Sequence, residues 1–364
     1  MKRDEYMKKV CFIISGSGYS GAEIVLNRFL DNNLTIEKNF IIIFDNKEVE
    51  NKFINLYGSE NVISLGINYN KSVFKFLIPF YIDKVSRKLN KIINKLNPDL
   101  IYVNNTFEGI LSSKFIKNCN KKTILHIHDM RQSYTHPYNN YIIKKYFKYY
   151  NKIITVSNAT KRSWMNLEMD VVYNGLKEEA FSLNNSRNKV NKIGLIGSLN
   201  ERKGADVLLN CIDNILIKTD LDIFIVFKDY SPLLKKKLEK FKSYKRVNVL
   251  ESIDENQMTE VYDNIDLLIV PSRLDPLPTV IMEAQARGVI VLGNNSSGIP
   301  EMIPIKSLIR NITDEEILLS SLIELSKLNE EIYKRYSKIV YDYTYTNFLE
   351  RNKKKKINNI IKNI

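Results

Sequence analysis

The chain has 364 residues, which exceeds the size of one ordinary domain and favours two. Its hydrophobic content of 44% is enough for packed cores and excludes wholesale disorder, and no apolar run approaches the roughly 20 residues of a membrane-spanning helix. The net charge of +14 suits an anionic partner, such as nucleic acid, lipid head groups or nucleotide phosphates, but a lysine-rich solvated surface explains it equally well.

The first half of the chain alternates apolar runs with helical periodicity. Strands are predicted at 9–14, 40–44, 61–65, 99–103, 122–127, 152–156 and 170–173, and helices at 21–31, 47–57, 72–96, 106–118, 138–150 and 158–167. This alternation is typical of a parallel sheet with helices on both faces. Gly16, Gly18 and Gly21 follow the first strand, and Asp45 follows the second, so a nicotinamide-binding fingerprint is one interpretation.

A polar, aperiodic stretch at 183–191 is predicted to link two domains, because a second alternation of strands and helices follows it. Strands are predicted at 192–196, 221–227, 247–250, 266–270 and 289–292, helices at 203–217, 230–242, 254–264, 278–287 and 313–325, and a helical tail with a break near 341–347. The predicted domains are 1–182 and 190–345, followed by a final helix at 346–364. Ligands of doubly wound sheets bind beyond the carboxyl ends of the strands, so two facing sheets predict a site in the cleft between them.

The segment of the second half with the most candidate functional residues contains two acidic residues. Asp275 lies in a proline-rich loop after a buried strand, and Glu283 lies in the first turns of the helix that follows. Both carboxylates can point to one place and accept hydrogen bonds from sugar hydroxyls, at about 1.5–3 kcal/mol per bond. The alternative is structural, with Asp275 capping a turn and Glu283 complementing the helix dipole.

A second segment, Ile193–Leu209, carries a strand, Gly197, a short polar loop, and then Arg202, Lys203 and Gly204 at the start of a helix. Free backbone N–H groups beside a lysine form an anion site that a nucleotide diphosphate fits. A solvated basic turn is the alternative interpretation.

Together these segments resemble the retaining glycosyltransferases of family 4, which have the GT-B fold. The family pattern G-R-L-x-x-x-K-G matches residues 197–204, and its E-x7-E pattern matches Asp275 to Glu283, followed by a family-like stretch that ends at Glu301. The stretches "VVYNGL" (171–176), "TVSNAT" (155–160) and "HIHD" (126–129) match further landmarks of the family in the same order.

The resemblance implies an α/β fold of two Rossmann-like domains, the first for the acceptor and the second for the donor, with the last helix crossing back to the first domain. It implies a nucleotide-sugar donor, a UDP- or GDP-sugar, and a glycan or lipid-linked acceptor in surface polysaccharide or glycolipid synthesis. The implied catalytic residues are His128, Lys203 and Asp275. The implied donor-binding residues are Gly18, Gly197, Ser198, Arg202, Lys203, Asp275, Pro276, Leu277, Thr279 and Glu283, and the acceptor candidates are Tyr19, Asn105, Asp129 and Arg131.

The sequence departs from the family pattern at three places: the family arginine is Ser198, the first acid is Asp275 rather than Glu, and the next glycine-rich loop is Lys228–Ser231. A nucleotide-sugar epimerase of the same fold and a degenerate member that only binds a glycan are therefore alternatives. The nicotinamide interpretation is weaker, because it leaves the block from Asp275 to Glu301 without a role.

Two basic, aromatic stretches, 71–96 and 141–150, are compatible with helices that lie on an anionic membrane. The start of the chain has too short an apolar run for a signal peptide, so we expect a cytoplasmic protein, peripheral on the inner face of the membrane. The three cysteines are scattered, and the Asp220–Asp222 pair precedes a strand, so no metal or obligatory cofactor is expected. No nucleic-acid motif accompanies the positive charge, and we expect no such partner.

Overall fold

A computed structural model describes residues 8–14, 21–31, 33, 36–44, 46–67, 71–165, 167–254 and 257–364, with the backbone alone over 71–78. The chain divides into two compact units. Unit 1 comprises Met1–Tyr173 and Arg351–Ile364, and unit 2 comprises Asn174–Glu350.

The segment 183–191, predicted as a link, lies inside unit 2. Its Arg187 is buried, and the guanidinium donates to the carbonyl oxygens of Tyr262 and Arg287, both at 2.7 Å. A polar and aperiodic sequence can therefore be part of a packed unit when its charged side chain satisfies buried backbone groups.

The sheet that the structure describes in unit 1 has seven parallel strands in the spatial order β3-β2-β1-β4-β5-β6-β7. They are β1 Lys8–Ile14, β2 Ile36–Ile43, β3 Val62–Ser64, β4 Leu100–Asn104, β5 Lys122–Ile127, β6 Lys152–Thr155 and β7 Asp170–Val171. The central strands are buried on both faces, which is why β1 and β4 are continuous apolar runs without a polar alternation.

Eight helices cover this sheet within the described part of unit 1. They are α1 Gly21–Leu30, α2 Lys47–Tyr57, α3 Lys71–Leu96, α4 Thr106–Leu111, α5 Ser113–Asn118, α6 Pro137–Tyr146, α7 Asn158–Ser163 and the last helix of the chain, α14 Glu350–Asn363. The single helix predicted at 106–118 is two helices that meet at Ser112. The Ser112 hydroxyl donates to the Glu108 carbonyl at 2.6 Å, a contact that perturbs helices in this way.

The final helix packs on unit 1, as predicted. Ile357 and Ile361 are fully buried in the core between the sheet and its helices, and Lys353 donates to the Val25 carbonyl of α1 at 3.0 Å. The chain leaves the preceding helix, α13 (Glu330–Asn347), at Phe348 and Leu349, both buried, so the helix break lies just after the predicted position at 341–347.

The described sheet of unit 2 has six parallel strands in the order β10-β9-β8-β11-β12-β13. They are β8 Lys192–Ile196, β9 Asp222–Phe227, β10 Val247–Glu251, β11 Leu267–Val270, β12 Ile290–Asn294 and β13 Ile309–Arg310. The helices are α8 Ala205–Lys218, α9 Pro232–Glu239, α10 Met258–Asp263, α11 Thr279–Gln285, α12 Glu315–Leu325 and α13 Glu330–Asn347. The two-residue edge strand β13 is too short for any periodicity and has no counterpart in the sequence prediction.

Candidate active site

The strand order of unit 2 reverses between β8 and β11, its first and fourth strands. At such a switch point the loops that follow the two strands diverge and leave a crevice at the carboxyl edge of the sheet. The loop after β8 carries Gly197, Ser198 and Lys203, and the loop after β11 carries Asp275. Residues from both predicted segments therefore meet at one edge of one sheet.

An ion pair joins these two loops: the Lys203 ammonium contacts the Asp275 carboxylate directly. Their side chains retain 25% and 7% exposure, so the charges are largely but not fully removed from water. Asn200 positions the lysine, because its side-chain oxygen accepts from the Lys203 backbone N–H at 2.9 Å and caps the short turn Glu201–Lys203.

Gly204 allows the two loops to approach this closely. Its φ is +73°, a conformation that favours glycine, and a Cβ built on it would lie 2.1 Å from the carbonyl oxygen of Pro271. Any larger residue would push the loops apart and separate Lys203 from Asp275.

The loop after β12 supports Asp275 from the other side. The Gly298 N–H donates to the Asp275 carbonyl at 3.0 Å, and the Asn294 amide donates to the Ser272 carbonyl at 3.1 Å. A Cβ on Gly298 would lie 1.8 Å from the Pro276 carbonyl oxygen. The sequence around Asp275 is thus held in place mainly by backbone contacts.

Two cavities lie at this edge of the described part of unit 2. The first is a narrow cleft lined by Lys203 and Asp275, and the second, a larger space of about 230 Å³, is lined by Lys228 and Asp229. Ile196, Gly197 and Ser198 line both cavities, so the two spaces adjoin across the turn after β8.

The remaining donor-site candidates have varied surroundings. Arg202 donates to the Leu274 carbonyl at 3.0 Å, and Thr279 is the first residue of α11. Glu283 does not line either cavity in the described residues. Its carboxylate accepts from the Tyr262 hydroxyl at 2.7 Å, a partner on α10 that the sequence pattern gave no reason to expect. Pro276 and Leu277 lie in the loop that the Gly298 backbone contacts, and Leu277 is buried.

In unit 1, His128 follows β5 and lies at the carboxyl edge of the sheet. Its Nε2 lies 3.0 Å from the Asn104 side-chain oxygen, and the Asn104 amide donates to the Ala22 carbonyl at 3.3 Å. The His126 ring packs 4.1 Å from the His128 ring, and its Nδ1 lies 2.7 Å from the Tyr102 hydroxyl. The two rings belong to one polar network in which His126 is buried and His128 is half-buried, and their position on one face agrees with the spacing of alternate strand residues.

Burial lowers the pKa of His128 to about 3, and the nearby Lys353 ammonium of α14 adds to the effect. Burial, followed by the charges of His128 and Lys353, also lowers the pKa of His126 well below its usual range. Both imidazoles are therefore neutral at physiological pH and act as hydrogen-bonding groups rather than charges.

The acceptor candidates of unit 1 make local contacts. Asn105 caps α4, because its side-chain oxygen accepts from the Thr106 N–H at 2.7 Å. Asp129 accepts from the Tyr134 hydroxyl at 2.7 Å, and Arg131 donates to the Tyr134 carbonyl at 2.6 Å. Gly18 and Tyr19 lie outside the described residues, as does Asp45.

Asp222 begins β9, at the opposite edge of the sheet from the two cavities. In the portion of the chain that the structure describes, no group of three or more His, Cys, Asp or Glu side chains is arranged to hold a metal ion. None of the described helices is both long enough and apolar enough to cross a bilayer.

Comparison with known families matches both units. The model of the glycosyl transferases group 1 matches residues 177–339, and the model of Glycosyltransferase Family 4 matches residues 61–179. The two matches follow one another and include the loops of Lys203 and Asp275 and the strand end of His128. The chain belongs to glycosyltransferase family 4.

Curated relatives match part of this glycosyltransferase. An uncharacterized 41.2 kDa protein of the cps region of Klebsiella pneumoniae is 27% identical over 222 residues, 58% of the present chain and 57% of its own. The gpi3 subunit of the phosphatidylinositol N-acetylglucosaminyltransferase of Schizosaccharomyces pombe is 28% identical over 164 residues, 42% of the present chain and 36% of its own. The matched region thus spans between about one third and somewhat over half of these relatives.

A solved structure supports the fold over the whole chain. Anabaena HepE in complex with UDP and glucose is similar with a TM-score of 0.76 at 15% identity, covering 98% of the glycosyltransferase and 100% of the HepE chain. At this identity the likeness concerns the fold, and the glycosyltransferase has the GT-B fold that the family resemblance implied.

Proposed function

We propose that this glycosyltransferase is a retaining hexosyltransferase that moves a sugar from a UDP- or GDP-sugar to a glycan or lipid-linked acceptor in surface polysaccharide or glycolipid synthesis. One observation carries the proposal: a lysine and an aspartate from different loops meet beside a cavity at the switch point of unit 2. A cation for a diphosphate and a carboxylate for sugar hydroxyls are the two recognition groups that a nucleotide-sugar requires.

In this proposal Lys203 stabilises the leaving group. When the anomeric bond breaks, its electron pair goes to the diphosphate, whose negative charge increases. A preorganised ammonium in a partly dry site stabilises that charge more in the transition state than in the ground state. The ion pair with Asp275 holds the ammonium at the cavity before the donor arrives.

In this proposal Asp275 binds the donor sugar. Its carboxylate can accept hydrogen bonds from hydroxyls of the donor, and the Gly298 contact with its backbone fixes the loop that presents it. Because Asp is one methylene shorter than Glu, the sugar must approach the loop closely, and Lys203 shares the carboxylate.

His128 is suited to hydrogen bonding rather than to proton abstraction. A base with a pKa of about 3 is a poor proton acceptor at neutral pH. We therefore favour attack by the acceptor oxygen on the face that the diphosphate leaves. The new bond joins the acceptor oxygen to the anomeric carbon, the old bond to phosphate oxygen breaks, and the departing phosphate takes the acceptor proton.

The test is a transfer assay with a panel of UDP- and GDP-sugars and with glycan and lipid-linked acceptors. UDP-glucose comes first, because the structurally similar HepE was solved with UDP and glucose. We expect acceptor-dependent release of nucleoside diphosphate and a product whose anomeric configuration matches the donor by proton NMR. Epimerisation of the donor without an acceptor would favour the epimerase alternative, and an inverted product would contradict the retaining mechanism.

A face of unit 1 supports an acceptor at a membrane surface. Helix α6 and the turn after it bury Ile142 and Phe147 but expose Tyr141 and Tyr149, and the Lys145 ammonium lies 5.0 Å from the Tyr141 ring centroid. Exposed tyrosines among lysines suit the interface of an anionic bilayer. More protein should cosediment with phosphatidylglycerol vesicles than with phosphatidylcholine vesicles. The double variant Tyr141→Ser, Tyr149→Ser should cosediment less with phosphatidylglycerol vesicles than the wild type does. Equal binding of the wild type to both lipids would contradict this part of the proposal.

A further inference from the structure

The lysine that faces the proposed diphosphate is already paired. Lys203 contacts Asp275, so part of its charge is compensated before any ligand binds. Each phosphate of a nucleotide-sugar is ionised at neutral pH, and departure of the sugar adds a further negative charge to the diphosphate. A second cation at the cavity would therefore contribute to binding and to leaving-group stabilisation.

The arginines of the two loops are engaged elsewhere. Arg202 donates to the Leu274 carbonyl at 3.0 Å, and the Arg273 guanidinium makes two hydrogen bonds of 2.7 Å to the Asp206 carboxylate. Ser198, which lines both cavities, has no charge. The Arg273 charge is paired with Asp206, while Arg202 keeps its charge but directs one N–H to the Leu274 carbonyl.

Lys228 has a different environment. It is the first residue after β9, it is exposed, and it lines the larger cavity together with Gly197 and Ser198. Within the described chain, its ammonium makes no hydrogen bond or ion pair, although Asp229 is its neighbour in sequence and lines the same cavity. A lysine is a point charge on a flexible stem, so it can follow a phosphate without a fixed partner.

We propose that Lys228 supplies the second cationic contact to the donor diphosphate, from the side of the Gly197–Ser198 turn opposite to Lys203. This inference rests on the proposed function of the same site. It makes Lys228 a binding residue whose charge matters for phosphates and whose loss leaves recognition of the nucleoside unchanged.

Calorimetric titration of the full chain with UDP, GDP, ADP, their nucleosides and inorganic pyrophosphate tests the assignment. For Lys228→Ala, we expect affinity for pyrophosphate and for the bound nucleoside diphosphate to fall at least tenfold, with nucleoside affinity unchanged, and Lys228→Arg to restore most of the loss. Lys218→Ala is the matched control, because Lys218 is an exposed lysine at the end of α8, outside the lining of both cavities.

The possible outcomes distinguish a failure of the Lys228 assignment from a failure of the proposed function. If wild-type protein binds a nucleoside diphosphate and Lys228→Ala binds it equally well, the assignment of Lys228 is overturned and the proposed function stands. If nucleoside affinity falls as much as diphosphate affinity, Lys228 acts on the pocket and not on the phosphates, which also overturns it. If the wild type binds no diphosphate, both proposals fail together.

Discussion

The Lys203–Asp275 pair combines two opposed charges at the place where a diphosphate and a sugar are proposed to bind. The carboxylate has two effects on a bound nucleotide. It recognises the sugar, but it also occupies the ammonium and repels the phosphates. These effects can be separated, because a nucleoside diphosphate has phosphates but no donor sugar.

For Asp275→Asn, we predict opposite effects on the two ligands. Affinity for the nucleoside diphosphate should not decrease, because Lys203 becomes free to contact phosphate. Turnover of the nucleotide-sugar should fall about 10–100-fold, the effect of losing a charge-assisted hydrogen bond or two. Calorimetry and the transfer assay measure the two quantities; a parallel loss of both would mean that Asp275 only maintains the loop.

Because of the histidine pair in unit 1, we predict that the free energy of unfolding falls in acid. The pKa of His128 is about 3 in the folded protein and close to 6.5 when the imidazole is free in water. Between these values the unfolded chain binds a proton that the folded chain does not, so stability falls as the pH drops below 6.5.

Urea denaturation at pH 7 and pH 5 should therefore show a contribution from His128 of about 1–2 kcal/mol that is lost at pH 5. In His128→Gln, the difference between the two pH values should shrink by that amount. Lys218→Ala, at an exposed position on α8, is the control and should keep the wild-type difference. An unchanged difference in His128→Gln would show that the ring is protonated without cost in the folded state.

At the scale of elements, the loops after β8, β11 and β12 depend on close backbone approach. Gly204 faces the Pro271 carbonyl, and Gly298 faces the Pro276 carbonyl, in both cases at distances that no Cβ tolerates. The lining of the first cavity therefore depends on Gly204 and Gly298, neither of which lines it.

Replacing Gly204 or Gly298 by alanine should cost about 1–3 kcal/mol of folding stability and weaken nucleoside diphosphate binding, because the loops must separate. Gly21→Ala is the control, since a Cβ there meets none of the described residues within 4 Å, and it should change stability by less than about 0.5 kcal/mol. Urea denaturation and calorimetry measure both effects. If Gly298→Ala binds the nucleoside diphosphate as tightly as the wild type, the loop around Asp275 can move without weakening the site, which would contradict this prediction.

Much of this architecture could be predicted from the sequence. Buried parallel strands are continuous apolar runs, so most strands of both sheets were predicted within a residue or two, and the polar residues after them marked the carboxyl edge. The helix break at Ser112 and the contact between Tyr262 and Glu283 could not be predicted, because each depends on the position of one hydroxyl group in the folded chain. Charge pairing inside the site was equally hidden: the sequence placed Lys203 and Asp275 at one ligand but gave no reason to pair them with each other.

At the scale of the whole molecule, the chain returns to unit 1 after completing unit 2. Ile357 and Ile361 of α14 are fully buried in unit 1, so the last helix belongs to the core and not to a solvated tail, although its sequence is rich in lysine. The resemblance to the family predicted this crossing; the local composition alone did not.

Ile357→Ala should destabilise unit 1 by about 2–5 kcal/mol, the cost of a cavity in a packed core. Ile339→Ala on α13, where the side chain is 39% exposed, is the control and should have an effect within about 1 kcal/mol. Urea denaturation followed by far-UV circular dichroism measures both. A wild-type transition in Ile357→Ala would place the helix outside the core.

The most direct test of the account is a crystal structure of the protein with a bound nucleotide-sugar, UDP-glucose or the donor that the transfer assay selects. The account predicts the diphosphate within hydrogen-bonding distance of the Lys203 ammonium, and a sugar hydroxyl on the Asp275 carboxylate. A nucleotide bound away from the turn after β8, with the Lys203–Asp275 pair untouched, would contradict it.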